Sequence, residues 1–453
     1  MNVAVIGAGI SGLTAALQLA RSHDVTLFEA NDYLGGHTHT VDVEYQGDRQ
    51  SIDTGFIVYN DWTYSNFIAL LDQLGVASQP TEMSFSVRCD RTGLEYSGSS
   101  LNGLFAQRRN LVSPRFYRLL ADILRFNRAG HRDGQRVAAA AGTPGSTAAT
   151  HPAATRTAAT HPAATRGSTA SLPEPMTVGK FLREGRYSQV FCDRYLLPMG
   201  AAIWSCPTGT FENFPLEFIF EFYRNHGLLN IWKRPQWRVI QGGSRSYVRK
   251  MMERFRGRVR LATPIERVQR FADRVAVVPR GGPVEQYDHV VLACHSDQAL
   301  SMLADPTALE QELLGAFPYE RNVAVLHTDT SILPRRRRAW SSWNYRIDPA
   351  NEARATLTYN MNILQGLQSP HVYNVTLNDE GSIDPAKILG RYQYAHPIFT
   401  TRRAAVQARH LELCNVNRTS YCGAYWRNGF HEDGVVSAQA VCRSLEGASC
   451  RRA

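Results

Sequence analysis

The chain has 453 residues, 43% hydrophobic and 10% aromatic, a composition that fits a folded protein of two or three domains and excludes a wholly disordered one. Its formal charge of +10 is almost entirely arginine, with only four lysines, Lys180, Lys233, Lys250 and Lys387. The surplus suits an anionic partner, but no RNP, zinc-finger or helix-turn-helix pattern accompanies it, so nucleic acid is not expected; eight cysteines without CxxC spacing point to a reduced cytoplasmic chain without structural metal.

In chain order, apolar runs at 3–6 and 25–28 flank a helical pattern of Leu13, Leu17 and Leu19, which predicts a βαβ opening. No Lys or Arg precedes the apolar start, and glycines occupy its middle, so it reads as strand, turn and helix rather than a signal peptide. The turn Gly7-Ala8-Gly9-Ile10-Ser11-Gly12 has GxGxxG spacing. Gly7 allows the tight turn, Gly9 the approach of a pyrophosphate, and Gly12 the close packing of helix on strand. Glu29, followed by Ala30, ends the second strand where a carboxylate accepts ribose hydroxyls, as for FAD or NAD rather than NADP. A second glycine turn, Gly35-Gly36, continues into His37-Thr38-His39-Thr40, and Asp53-Thr54-Gly55-Phe56-Ile57 follows.

Phe116, Leu119, Leu120, Ile123 and Leu124 form a helical stripe with Arg115, Arg118, Arg125 and Arg128 among the other positions. It reads either as core packing with a basic outer face or as an interfacial helix that binds anionic membranes in a salt-sensitive way. Residues 138–175, with TAATHPAATR twice in tandem, are expected to be a disordered insertion. Phe211, Phe214, Phe218, Phe220 and Phe222 either line an acyl tunnel or form domain core. Strands are predicted at 258–261, 274–278 and 289–293, with a helix at 298–303, and Arg335 to Arg338 reads as a solvated loop. No window of 18 apolar residues predicts a spanning helix.

The phrases from Glu29 through Gly35-Gly36 and Asp53 to Ile57 resemble the superfamily of monoamine and polyamine oxidases, protoporphyrinogen oxidase and phytoene desaturase. That resemblance implies FAD, with the glycine doublet against the pyrophosphate and the backbone at Gly55, Phe56 and Ile57 approaching the flavin ring. His37 stands where the family usually has Arg. Thr263 to Val268, with Ile265, is similar to the strand that offers backbone contacts to adenine. Tyr421-Cys422-Gly423-Ala424 and Gly429 to Val435 resemble the closing segment facing the ribityl chain and pyrimidine; Ala424 replaces the usual acid, which leaves Glu432 or Asp433 for the ribityl group.

More narrowly, Asp53 to Asn60, Gly242-Gly243-Ser244-Arg245, Trp340 to Tyr345, Tyr394-Ala395-His396-Pro397 and Gly429 to Gly434 resemble predicted NAD/FAD-binding proteins associated with cyclopropane-fatty-acid synthases. The expected fold is α/β, a Rossmann-like FAD-binding domain discontinuous in sequence with an α+β substrate domain. FAD-binding parts are expected at 1–80, 236–303 and 401–453, substrate parts at 81–137, 176–235 and 304–400, and the insertion at 138–175. The resemblance implies an FAD-dependent oxidoreductase of a methylated or cyclopropanated acyl chain. Its alternatives are an amine oxidase and a non-catalytic flavoprotein accessory to a lipid methyltransferase. Localisation is expected to be cytoplasmic, with peripheral contact on the inner face of the membrane left open. A second GxGxxG for a pyridine nucleotide is absent. His37, His39, His396 and His431 are candidate acids or bases without an assigned catalytic role, and Tyr425 and Trp426 either wall the flavin or belong to the core.

Overall fold

A parallel sheet collects strands from three distant stretches of chain, in the order Arg258–Arg260, Asp24–Phe28, Asn2–Ile6, His289–Leu292, Thr419–Tyr421. The computed structural model describes residues 1–140, 176–348, 356–379 and 381–449; the repeats within 138–175 lie outside them. Side chains alternate across this sheet with the two-residue period of a strand. Val3, Val5, Val25, Leu27 and Val291 point to one core, shared with the helices Ile10–Leu19, Ser65–Leu74, Arg245–Arg254 and His431–Ser449. Ala4, Ile6, Phe28, Val290 and Leu292 point to the other. Burial on both faces explains why these strands read as continuous apolar runs.

The second face is covered by an antiparallel sheet of Ile265–Arg270, Val275–Pro279 and Glu285–Tyr287. The run at 274–278 is the middle strand of this sheet and packs against the parallel sheet through Val275 and Val277. The turn before it is closed by Phe271 N–H on Arg274 O at 2.9 Å, too tight for the long crossover that a parallel neighbour requires.

A mixed sheet of seven strands runs Ile388–Pro397, Tyr319–His327, Asn374–Leu377, Thr356–Asn360, Trp343–Ile347, Phe85–Cys89, Leu94–Ser97. Two small antiparallel units join it to the parallel sheet: the hairpin Thr40–Tyr45 with Asp48–Asp53, and the strands Val58–Asn60, Trp237–Ile240 and Ser78–Pro80.

Phe211, Phe214, Phe218 and Phe222 surround Trp204, with ring centroids 4.8 to 5.9 Å from it, and Phe399 closes the cluster. This run is therefore domain core rather than a tunnel lining. The helix Pro114–Ala140 likewise turns Phe116, Leu119 and Phe126 inward. Its buried Asp122 holds Arg118 and Arg125 at 3.3 and 3.2 Å and accepts Ser188 N–H. The sequence stripe is thus mainly core, with Leu124 left 38% exposed.

Two glycines of the first turn separate fold from ligand. A Cβ on Gly12 would sit 1.8 Å from the carbonyl oxygen of Gly7, whereas a Cβ on Gly9 would meet nothing within 4 Å. Gly12→Ala is expected to lower unfolding free energy in urea by about 1–3 kcal/mol or more. Gly9→Ala should leave it within about 0.5 kcal/mol of the parent protein; equal losses would contradict this assignment.

Candidate cofactor and active site

The first turn is built around positive-φ Gly7, whose N–H donates to Phe28 O at 2.8 Å. Gly9 is extended, and the helix Ile10–Leu19 begins with no side-chain cap and no acid in its first turn. Ala8 N–H donates to Glu29 Oε2 at 2.7 Å, and Glu29 Oε1 accepts Asn31 N–H and its side-chain amide at 3.0 Å. Ala30 beyond it is exposed. Thr263 N–H reaches Glu29 O at 2.8 Å, bringing the approach to Ile265 beside this carboxylate. The glycine doublet folds over the same turn: Gly35 N–H bonds Ala8 O at 2.9 Å, and a Cβ on Gly36 would lie 3.2 Å from Gly9 Cα.

A second helix start lies alongside. A Cβ on Gly434 would be 2.7 Å from Ile10 Cγ2 and 2.9 Å from Ser11 Oγ, so the first turn of His431–Ser449 packs directly on that of Ile10–Leu19. Two helix N-termini with their unpaired N–H groups and positive dipole ends converge here, with the open side of Gly9 between strand and helix. That arrangement fits a dinucleotide pyrophosphate.

Asp53 fixes the next element. Fully buried, it accepts Thr40 Oγ1 at 2.5 Å, Ser244 N–H at 2.9 Å and Ser244 Oγ at 2.8 Å, while its own N–H donates to Gln365 Oε1 at 2.9 Å. Burial pushes its carboxyl up to about 6 against the pull of those donors. The chain then places Gly55 where a Cβ would be 2.1 Å from His37 O, and Phe56 N–H donates to that same oxygen at 2.7 Å. Phe56 stacks on His431 at 3.4 Å between centroids, and Ile57 is buried behind it. His431 Nε2 meets Thr38 Oγ1 at 2.9 Å and Tyr247 OH at 3.2 Å, with Thr38 and Tyr247 also bonded.

His37 and His396 come together, 5.2 Å between ring centroids, with His295 6.0 Å from His37. Tyr394 lies 5.2 Å from His37, Tyr319 stacks on His295 at 4.4 Å, and Asn322 donates to His396 Nδ1 at 3.1 Å. Burial first and neighbouring imidazoles second hold these histidines far below their usual value, to about 4 for His37 and His295 and about 3 for His396. His39 joins this group only through Tyr394 and Thr54, 3.3 Å from Tyr394 OH and 2.8 Å from Thr54 Oγ1. His295 and Tyr247 were not singled out in the sequence. The signal for His295 was its place at the carboxyl end of a parallel strand, where α/β sheets put their ligands.

Several expected groups also have partners within the fold. Glu432 accepts Asn66 and Phe67 N–H at 3.1 and 2.8 Å, capping the helix Ser65–Leu74, and Asp433 accepts Phe430 N–H at 2.9 Å at the start of its own helix. Each carboxylate thus has a part in the fold beside the ribityl contact that the resemblance implies. Gly423 donates to Ser437 Oγ at 3.0 Å beneath the folded-back Tyr425 ring, and Val435 is core. Trp426 stacks on His410 at 4.3 Å and packs with Tyr425 on Phe317, so this pair belongs to the core rather than to a flavin wall.

The neutral imidazoles make stability depend on pH with a definite sign. Below about 6.5 the unfolded chain takes up protons that His37, His295 and His396 refuse until about 3–4. Stability of the flavin-free protein is therefore present above 6.5 and falls as pH drops toward 4. Each of the three should contribute on the order of 1 kcal/mol of this loss at pH 5, discounted for partial exposure. Urea midpoints at pH 7, 6 and 5 measure it; replacing the three with Asn should flatten the profile, and an unchanged slope would refute the assignment.

Comparison with known proteins agrees with this geometry. Three solved structures share the fold across nearly all of both chains. A CLA-producing fatty acid isomerase from P. acnes has 13% identity and TM-score 0.64, covering 97% of this chain and 98% of its own. Cyclohexylamine oxidase from Brevibacterium oxydans IH-35A has 15% identity and TM-score 0.63, covering 98% and 99%. A putrescine oxidase bound to putrescine has 15% identity and TM-score 0.64, covering 99% of each. The family described as flavin containing amine oxidoreductase matches residues 10–337. With that match over more than two thirds of its length, and the dinucleotide turn in place, the chain belongs to the flavin-containing amine oxidoreductases and is an FAD-dependent oxidoreductase.

Proposed function

We propose that this oxidoreductase acts on an apolar substrate, an acyl chain of a membrane lipid carrying a methyl branch or cyclopropane ring. The observation that carries this reading is the uncharged wall of His37, His295, His396, Tyr319 and Tyr394 beside the Gly55–His37 junction. Among the described residues, neither lysine nor carboxylate makes a direct contact with this cluster; its side chains meet one another, Asn322, Ser296, Thr54 and His39. Of the four lysines, Lys180 lies in the helix Val178–Glu184, Lys233 is exposed on a loop, Lys250 pairs with Glu253, and Lys387 pairs with Asp329. The shared fold accommodates both a fatty acid isomerase and amine oxidases, so side chains rather than architecture discriminate.

Gly7 to Gly12, Glu29, Gly35 and Gly36 would hold the FAD phosphates and ribose, with Gly55, Phe56 and His431 toward the ring. FAD supplies a two-electron acceptor for hydrogen leaving carbon. The imidazoles stay neutral at pH 7 and serve as hydrogen-bonding walls rather than as charged groups, and the aromatic surroundings keep water from the apolar chain.

Gly9→Val should yield a folded protein that retains less than about one tenth of the parent FAD content, since its side chain would fill the phosphate approach. Full loading would refute the placement of the dinucleotide. For the substrate, anaerobic mixing with extracted membrane lipids should bleach the flavin and yield an acyl product two hydrogens lighter by mass. Bleaching and aerobic peroxide with a panel of primary amines, and none with lipids, would assign amine oxidation instead.

A further inference from the structure

The fold assembles an exposed surface that is both apolar and basic from two remote stretches of chain. The helix Leu101–Leu104 and the following turn Arg108–Val112 lead into the long helix at Pro114. Along this stretch Leu101 is 76% and Val112 83% exposed, with Leu111 and Tyr117 about half exposed. Their geometry is fixed rather than loose: Tyr117 OH bonds Leu111 O at 3.0 Å, and Arg108 ties Phe105 O and Asn102 at 3.0 and 2.8 Å. Large apolar side chains held outward along one short stretch mark an interaction surface rather than scattered exposure.

The same stretch carries Arg108, Arg109, Arg115 and Arg118, and no Asp or Glu lies between Glu95 and Asp122. The run Arg335 to Arg338, all exposed, is brought alongside. Glu95 accepts the N–H groups of Arg335 and Arg336 at 2.9 and 3.3 Å, Ser97 bonds Ser341 at 2.7 Å, and the turn Arg337–Ala339 lies against Leu101–Leu104. The flanking acids are spent. Glu95 and Asp122 are buried and paired with Arg336, Arg118 and Arg125; Asp329 pairs with Lys387 and Asp348 with Arg346. Positive charge ringing outward apolar groups complements an anionic bilayer, whose headgroups meet the guanidinium groups while the aliphatic and tyrosyl groups enter the acyl boundary.

We propose that this face, from Leu101 to Tyr117 together with Arg335 to Arg338, docks the protein on an anionic lipid bilayer. The inference does not depend on the acyl substrate. The apolar component distinguishes a bilayer from nucleic acid, which would be met by charge alone. Among the described residues no helix is long and apolar enough to cross a membrane, so docking is peripheral.

Flotation of the FAD-loaded protein with vesicles of phosphatidylglycerol and phosphatidylcholine, or of phosphatidylcholine alone, tests it. Expected is recovery with the anionic vesicles that fades from low to high salt, and little with the neutral ones. Arg335→Glu/Arg337→Glu/Arg338→Glu should lower partitioning by at least roughly fivefold per residue. Leu101→Asp/Val112→Asp should lower it with the arginines intact, and Arg256→Glu, exposed elsewhere, should change it little. Flavin content and melting temperature, unchanged in each variant, separate lost docking from misfolding. Equal recovery in the unbound fraction with both vesicle types overturns the proposal, as does a triple variant no weaker than Arg256→Glu. Tight binding of a single-stranded oligonucleotide without vesicle binding also overturns it and assigns the face to nucleic acid.

Discussion

The carboxylate of Asp53 is the constraint on which the central architecture rests. It is a fully buried acid satisfied by hydroxyl and amide donors rather than by a contacting cation, and those donors come from the Thr40 hairpin and the start of the helix Arg245–Arg254. The positive end of that helix favours the ionised form, while burial opposes it. An acceptor in this position leaves the hairpin little freedom to slide, since each oxygen is matched to donors of fixed geometry. Thr54 and Gly55 inherit their positions from it, and through Gly55 the backbone of His37 is fixed as well. Gln365 carries the same constraint into the seven-stranded sheet.

Around this centre, charge is sorted by location. Acids sit at helix starts or strand ends, where N–H groups satisfy them: Glu29 at the first turn, Glu432 on the helix Ser65–Leu74, Asp433 on the last helix. The space between the glycine doublet and the large sheet is left to rings that carry no charge at neutral pH. Clustering several imidazoles is itself a means of keeping them neutral, because protonating one raises the cost of protonating the next. The wall is thus polar enough to hold hydrogen bonds and too weakly charged to favour an ionic substrate group.

The parts legible in sequence were those with a local geometric signature. GxGxxG between an apolar run and a helical stripe needs no distant partner to be recognised, and the alternation of Val3, Ala4, Val5 and Ile6 between two cores shows why the strand reads as uniformly apolar. Amphipathic patterns were less decisive. The 116–124 stripe and the 211–223 phenylalanines have the same sequence appearance whether they face lipid, ligand or neighbouring helices, and tertiary packing settles it. Glu432 looked available because its cap partners at Asn66 and Phe67 lie 366 and 365 residues away. Arg335 to Arg338 looked isolated for the same reason: the apolar surface beside it belongs to residues more than two hundred positions earlier.

The packing of Gly434 against Ile10 sets an order for synthesis. The hydroxyl of Thr38 must wait for His431, 393 residues later, before their contact can form. At ordinary elongation rates that interval is on the order of tens of seconds. Throughout it, the emerging N-terminal unit has a strand without its later sheet neighbours and a helix start without its companion. The cofactor site is thus among the last features the nascent chain can complete, although its most recognisable residues leave the ribosome first. Substitutions in the final helix consequently act on the first turn, and a chain stalled before residue 431 carries the dinucleotide motif without a floor to bind against.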